Sequence, residues 1–242
     1  MNNLIDLLQN QDLVWQGNAK KAHSPVCLPS GFAPLDQQLG GGFPQGVNEI
    51  QSVSGIGELR LLIPALMAAA VEQRLIVFIA SMGTICSEML TEQGIELEQV
   101  LVLSLDEHQQ ALWAAEQCLR SGACHSVVMW TQASLAIHQV KRLQVACDVG
   151  NSFHFILREK KLEGVTLPFD LSLSLVPHQQ GVLAKINKRK RGWPSAPFLI
   201  DMSDLWPALT FADSAVDSSN SVPYSSSNNV LPFSSGGHVQ VV

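Results

Sequence analysis

Apolar residues follow two rhythms along this chain, and the change between them divides it. Through the middle, short apolar runs alternate with longer stretches in which apolar positions recur every three or four residues. The runs Asn48–Ser52, Leu75–Ile79, Val100–Leu103, Ser126–Trp130 and Phe153–Leu157 predict strands, and their near-continuous apolar character fits a largely parallel, covered sheet. Between them Ala111, Leu112, Ala115, Cys118 and Leu119 share one helical face, with Gly122 as a C-cap, and Ile137, Val140, Leu143 and Cys147 share another. After Arg158 the period becomes two. Leu171, Leu173 and Leu175 alternate with Ser172 and Ser174, the pattern of a strand with one wet face. A five-residue loop, Pro177–Gly181, leads to Val182–Asn187 and makes an antiparallel hairpin, and a further loop leads to Phe198–Ile200. The predicted class is α/β: a mainly parallel sheet flanked by helices, with a C-terminal antiparallel hairpin.

The ends follow other patterns. Residues 1–28 predict a head and linker: Leu4, Ile5 and Leu8 line one side of a short helix, Trp15 follows in an extended turn, and Pro25, Pro29 and Gly31 mark the way into the core. The core spans 29–211. Residues 212–242 are Ser- and Asn-rich with scattered Pro and Gly, the composition of a disordered tail. Pro64 conflicts with its surroundings. It lies in the helix expected after the first core strand, where an unrelieved proline costs about 3 kcal/mol, so the helix should kink or start late, near Ile63.

Composition narrows the function classes. At 242 residues and 46% apolar, the chain can bury one sizeable core. Only 15% of residues are charged and the net charge is −6, which disfavours a general nucleic-acid binder. Cys27, Cys86, Cys118, Cys124 and Cys147 form no C-x-x-C, and an odd one remains. With no signal-peptide pattern, they read as reduced thiols in a cytoplasmic protein. No apolar run approaches the roughly 18–20 residues of a membrane span.

The segment Glu49–Leu62, EIQSVSGIGELRLL, stands where a strand–loop–helix phosphate site would lie. A working P-loop, G-x-x-x-x-G-K-[ST], cradles phosphates with backbone N–H groups, neutralises them with its Lys and holds Mg²⁺ with its hydroxyl. Here Ser52 takes the first Gly position, Gly57 the second, Glu58 the Lys position and Leu59 the hydroxyl position. Glu58 would repel phosphate and Leu59 offers Mg²⁺ no oxygen. A structural turn is the favoured reading; an anion nest built on Gly55 and Gly57 and a conventional ATP site are the alternatives. Gly40–Gly42 reads as a tight connection.

The surroundings of that loop carry a family resemblance. PSGFAPLDQQLGGGFPQGVNEI (Pro29–Ile50) resembles the segment leading into the ATPase core of RecA recombinases. Arg74–Ile79 is similar to their next core strand, His108–Ala123 to the helix ending in RSGA, and Ser126–Trp130 to the strand that ends in the Walker B Asp. Trp130 stands at that Asp position. After Arg74–Ile79, where the family carries a catalytic Glu, this chain reads Ala80–Gly83, ASMG. The resemblance therefore implies a RecA-like fold that has lost its phosphate Lys, its Mg²⁺ Asp and its water-activating Glu together, with no cofactor and no catalysis.

More narrowly, Asp12–Asn18 (DLVWQGN), Gly57–Leu66 and Leu183–Asp201 resemble ImuA, the RecA/SulA-like accessory family of damage-induced translesion DNA synthesis. Features similar to SulA, the shorter cell-division inhibitor, are confined to roughly Ile76–Glu159. The ImuA resemblance covers about Asn3 to Phe211. It implies an adaptor joining RecA to an ImuB-type Y-family-like polymerase subunit and an error-prone replicative-type polymerase. A SulA-type inhibitor of the division protein FtsZ is the alternative. A divergent RecA-like ATPase, borrowing a cation from Arg60 or a neighbouring subunit, is the third reading.

Two surface features remain. Lys185, Lys188, Arg189, Lys190 and Arg191 hold a third of the chain's Lys and Arg, and Trp193 follows. They read either as a hairpin tip touching DNA phosphates or an acidic partner, with Trp193 free to stack, or as a solvated loop with Trp193 packed beneath. Given the acidic chain, direct DNA binding would be weak and salt-sensitive. The Leu4–Leu8 helix with Trp15 could dock on RecA, on a second copy or on its own core, since RecA-like proteins dock an N-terminal helix on a neighbour. Trp113 beside the core helix face is a candidate partner contact. Cys118, Cys124 and His125 match no common zinc spacing, and no Ser, Cys or His stands in a catalytic signature. His138 reads as a helix-surface residue and His154 as a strand residue.

Overall fold

In a computed structural model, residues 26–79, 85–159, 167–190 and 192–207 are described. The predicted head with Leu4, Leu8 and Trp15, the ASMG segment, Arg191 and the Ser-rich tail lie outside them.

The elements run β1 (Cys27–Leu28), α1 (Ala33–Leu39), β2 (Phe43–Pro44), β3 (Gly46–Gln51), α2 (Glu58–Leu66), α3 (Ala68–Glu72), β4 (Leu75–Ile79) and α4 (Ser87–Glu92). A 3-10 turn, Leu97–Gln99, leads into β5 (Val100–Leu103), followed by α5 (His108–Arg120), β6 (Cys124–Trp130), α6 (Ile137–Gly150) and β7 (Phe153–Arg158). Strands β8 (Leu171–His178), β9 (Gly181–Arg189) and β10 (Phe198–Asp201) complete the described chain. One sheet carries the order β10-β9-β8-β3-β7-β6-β4-β5. Pairings from β8 through β3, β7, β6 and β4 to β5 are parallel, and β8–β9 and β9–β10 are antiparallel. This is the expected α/β architecture.

Strand alternation sends side chains to two cores. On one face Ile50, Phe78, Phe155 and Leu173 pack with Leu61, Leu62 and Leu66 of α2. On the other Val47, Val77, Val127 and Ile156 meet Ala115 and Leu119 of α5 and Val140 and Cys147 of α6. Phe43 closes edge-on against Phe155, with ring centroids 5.1 Å apart. Both helical faces read from the sequence are buried as expected, except that Cys118 of α5 is partly exposed and Ile137, at the first turn of α6, is half-exposed.

One local expectation is corrected, and one of two alternatives at Pro64 is removed. The hairpin turn is two residues long, because β8 continues through Pro177 to pair His178 with Gly181. Beyond Ser174, β8 pairs with no strand among the described residues on its β3 side, so Pro177's missing N–H leaves no ladder bond unmade with them. Helix α2 does not start late: it begins at Glu58, directly off the loop, and carries Pro64 inside it. Gly31 leaves room for that ring, since a Cβ at Gly31 would lie 2.5 Å from Pro64 Cβ. The helix is interrupted at Met67 and resumes as α3.

Candidate functional site

Strand β3 lies in the middle of the sheet, and residues 52–57 leave its C-terminal end to reach α2. The C-terminal edge of parallel strands is where open α/β sheets place their ligands. Gly55 (φ 85°) and Gly57 (φ 107°) hold left-handed backbone that turns their N–H groups inward. Glu58, the first residue of α2, folds its carboxylate back over them. Oε1 accepts a hydrogen bond from Gly55 N at 2.9 Å and Oε2 one from Gly57 N at 3.1 Å. A nest of backbone amides at a helix N-terminus favours an anion. Here that anion is the chain's own carboxylate, in a residue only 7% exposed. Arg60 lies over the turn: a Cβ on Gly57 would meet its guanidinium at 2.8 Å.

The space beside the loop is small. Ser52, Ser54, Glu58, Trp130, Thr131 and Arg158 are among the residues lining a cavity of about 20 Å³, room for about one water. Trp130 packs against Phe78, with centroids 6.2 Å apart. The structure thus brings Ser52, Gly57, Glu58 and Trp130 to one place. Leu59 packs instead against the core on the α2 side of the sheet.

Beneath the loop lies a polar group that sequence reasoning missed. Arg158 Nε pairs with Glu49 Oε1 at 2.9 Å, both side chains almost wholly buried. Gln51 Nε2 donates to Glu49 Oε2 at 3.0 Å, and Ser172 Oγ donates to the same oxygen. Ser174 Oγ then donates to Gln51 and Asn187 Nδ2 to Ser174, joining β7, β3, β8 and β9. The predicted wet face of β8 is therefore largely internal at Ser172, which is buried. The available signal was two charged residues, Glu49 and Arg158, inside or ending apolar strand runs.

The basic run is split. Lys188 Nζ donates to Leu167 O at 2.9 Å, an Arg189 guanidinium N–H to Gln38 O at 2.6 Å, and Lys190 Nζ pairs with Asp170 at 3.2 Å. Lys185 is exposed between buried Ala184 and Ile186, and Trp193 is 87% exposed rather than packed beneath the loop. Asp170 also accepts from Val47 N and Gln144 Nε2, each at 2.9 Å, so part of the run serves to brace β3.

Other candidates separate by position. Alternation along β6 puts Cys124 toward α5, beside Cys118, while His125 turns to the opposite face against Phe153. Among the described residues no three His, Cys, Asp or Glu side chains converge as metal ligands would. Burial pushes His125 down, with Glu72 opposing and Arg74 reinforcing. Burial also pushes His154 down to about 4, opposed by its hydrogen bond to Val127 O at 3.0 Å. Helices α5 and α6 leave a groove of about 210 Å³ lined by Trp113, Glu116, His138 and Arg142 among others, and Trp113 is 63% exposed, as its sequence position suggested. Strand β5 ends the sheet with Leu101 and Val102 exposed. No helix among the described residues is long and apolar enough to cross a membrane.

Residues 50–154 match the family model of the cell division inhibitor SulA. RecA of a Picosynechococcus species is 29% identical over 125 residues, covering 51% of this chain and 35% of that protein. RecA of a Nocardioides species is 31% identical over 127 residues, covering 52% of this chain and 35% of that protein. The chain thus spans about a third of the length of these RecA relatives. The crystal structure of SulA from Pseudomonas aeruginosa is similar at 30% identity, covering 48% of this chain and 100% of that one, with a TM-score of 0.40. Residues 50–154 are thus SulA-like, and about half of the chain is similar to part of RecA.

Proposed function

We propose that this chain is a non-catalytic RecA-like adaptor of the SOS response, acting in the cytoplasm within a DNA damage-induced translesion synthesis complex. It links RecA to an ImuB-type Y-family-like polymerase subunit, and with it an error-prone replicative-type polymerase. The observation that carries this proposal is the Glu58 carboxylate seated on the Gly55 and Gly57 amides. A loop satisfied by its own chain needs no nucleotide to stay ordered, so the fold can present partner surfaces constantly. Among the described residues β5 is the edge of the sheet, with Leu101 and Val102 exposed, and such an edge can accept a strand from a neighbour. Lys185 and Trp193 offer at most a small, salt-sensitive DNA contact.

The match of residues 50–154 to the SulA model favours a second reading, an inhibitor that binds FtsZ. One experiment separates the two. The tagged chain is recovered from DNA-damaged cells with nuclease present, and its companions are identified by mass spectrometry. The adaptor role predicts RecA and a Y-family-like polymerase subunit. FtsZ without either of them would replace it with the division-inhibitor role.

A further inference from the structure

Helices α5 and α6 return from parallel strands and pack side by side, running the same way. On α5 Gln109, Trp113, Glu116 and Arg120 stand at i, i+4, i+7 and i+11, and on α6 His138, Arg142, Val145 and Val149 repeat that spacing. Each set is therefore one stripe along its helix. Gln109, Trp113 and Glu116 of one stripe and His138 and Arg142 of the other line the groove of about 210 Å³, with Leu112 and Leu143 also at its surface. Val145 and Val149 continue the α6 stripe and are exposed, as is Trp113. Exposed β-branched residues add nothing to a helix, whose propensity they lower, yet two of them stand in line here. Two parallel helices with matched stripes make a seat for a third, whose side chains at helical spacing fill the seam. The groove's volume falls below the roughly 300 Å³ at which small-molecule pockets begin, and suits a side-chain anchor instead.

We propose that the groove between α5 and α6 seats an amphipathic helix of a partner protein, apolar along one face and acidic along its flank. Charge selects the flank. Buried Glu116 pairs with Arg120 at 3.3 Å and also with Arg142. One carboxylate thus meets two guanidiniums, both at least half exposed, and a positive charge is left over. Lys141, exposed beside Arg142, adds another. Asp148, the other carboxylate of the two helices, falls off the stripe. The seam is locally positive on a chain of net charge −6, which favours an acidic helix over a basic one. Glu116 also holds Arg142 in place at the groove, so less side-chain freedom is lost when a partner carboxylate arrives. The partner's apolar anchor lies on Leu112 and Leu143 beside the Trp113 ring, and a second apolar residue further along meets Val145 and Val149. The partner's identity rests on the adaptor reading; the chemistry of the seat does not.

The test is photo-cross-linking of the full chain in DNA-damaged cells, with p-benzoylphenylalanine replacing Gln109 in the groove or, as a control, Lys185 on the β9 strand. Mass spectrometry then reads the sequence of each cross-linked peptide. Position 109 should mark one segment whose apolar residues recur at helical spacing with Asp or Glu alongside, and position 185 should not mark it. Trp113→Ala and Val149→Ser, both at exposed positions, should leave the melting temperature unchanged and lower the cross-link yield roughly tenfold or more. Changing the marked segment's acidic residue to Lys should lower it likewise. Absence of any adduct at 109, the same segment marked from 185, or a segment lacking acidic residues or helical spacing would overturn the proposal. So would a yield unmoved by Trp113→Ala. The two readings fail separately. An acidic amphipathic segment of FtsZ at position 109 would keep the seat and remove the adaptor role. Recovery of RecA and the polymerase subunit with no adduct at 109 would keep the adaptor role and remove the seat.

Discussion

The Glu58 carboxylate accepts a hydrogen bond from the Gly55 amide at 2.9 Å, three residues back across the loop, while its other oxygen holds Gly57. At the Lys position of a P-loop, then, stands not merely a residue that repels phosphate but one that takes its place. Glu58→Ala leaves two inward N–H donors without a protein acceptor, and unfolding in urea should show a loss of about 1–3 kcal/mol. Inorganic phosphate should return part of that stability to the variant and none to the parent, by mass action on the reopened nest.

Glu49 and Arg158 make a buried pair under the same loop. Glu49→Leu alone removes the carboxylate from a buried guanidinium and should cost about 3 kcal/mol, whereas Glu49→Leu with Arg158→Met should recover most of it. Denaturant midpoints of the single and double variants measure the difference. Equal loss in both would mean the pair is not the stabilising unit.

Two glycines separate sterics from backbone strain. A Cβ on Gly150 would overlap the Leu119 carbonyl, where the ends of α5 and α6 touch, so Gly150→Ala should cost about 3 kcal/mol as the helices shift. Gly122 has open space around it but a φ of 74°, so Gly122→Ala should cost only about 1 kcal/mol, the left-handed penalty alone. Thermal unfolding should rank them in that order.

His154 links stability to pH. Its folded value is about 4 against the usual 6.5, so as pH falls the unfolded chain takes the proton first. Stability is unaffected by this group above about 6.5 and declines between 6.5 and 4, by up to about 3 kcal/mol. His125, also shifted down, adds in the same direction. In His154→Asn the decline over that window should be shallower, which urea titrations at a series of pH values would resolve.

Legibility in the sequence followed how local each cause is. Leu75–Ile79 and Val100–Leu103 were readable to the residue because apolar runs end at polar or turn residues. Strand β6 starts two residues before its expected place because His125 and Ser126, polar by sequence, satisfy each other at 2.8 Å inside the sheet. Pro177 suggested a loop, and only the free β3 side of β8 shows why a strand tolerates it. Glu49 and Arg158 were illegible because they meet through strand pairing across most of the core. Glu58 was legible as a charge in the wrong place. That it becomes the loop's own ligand depends on the left-handed turns at Gly55 and Gly57, which no side-chain pattern reports.

The most direct test of the account is calorimetric titration of the full chain with Mg-ATP, repeated with the Gly57→Val variant. A nest closed by Glu58 predicts no saturable heat at millimolar nucleotide in either protein. Saturable binding by the parent that Gly57→Val abolishes would show that the loop still accepts phosphate, and the account of a self-occupied site would be wrong.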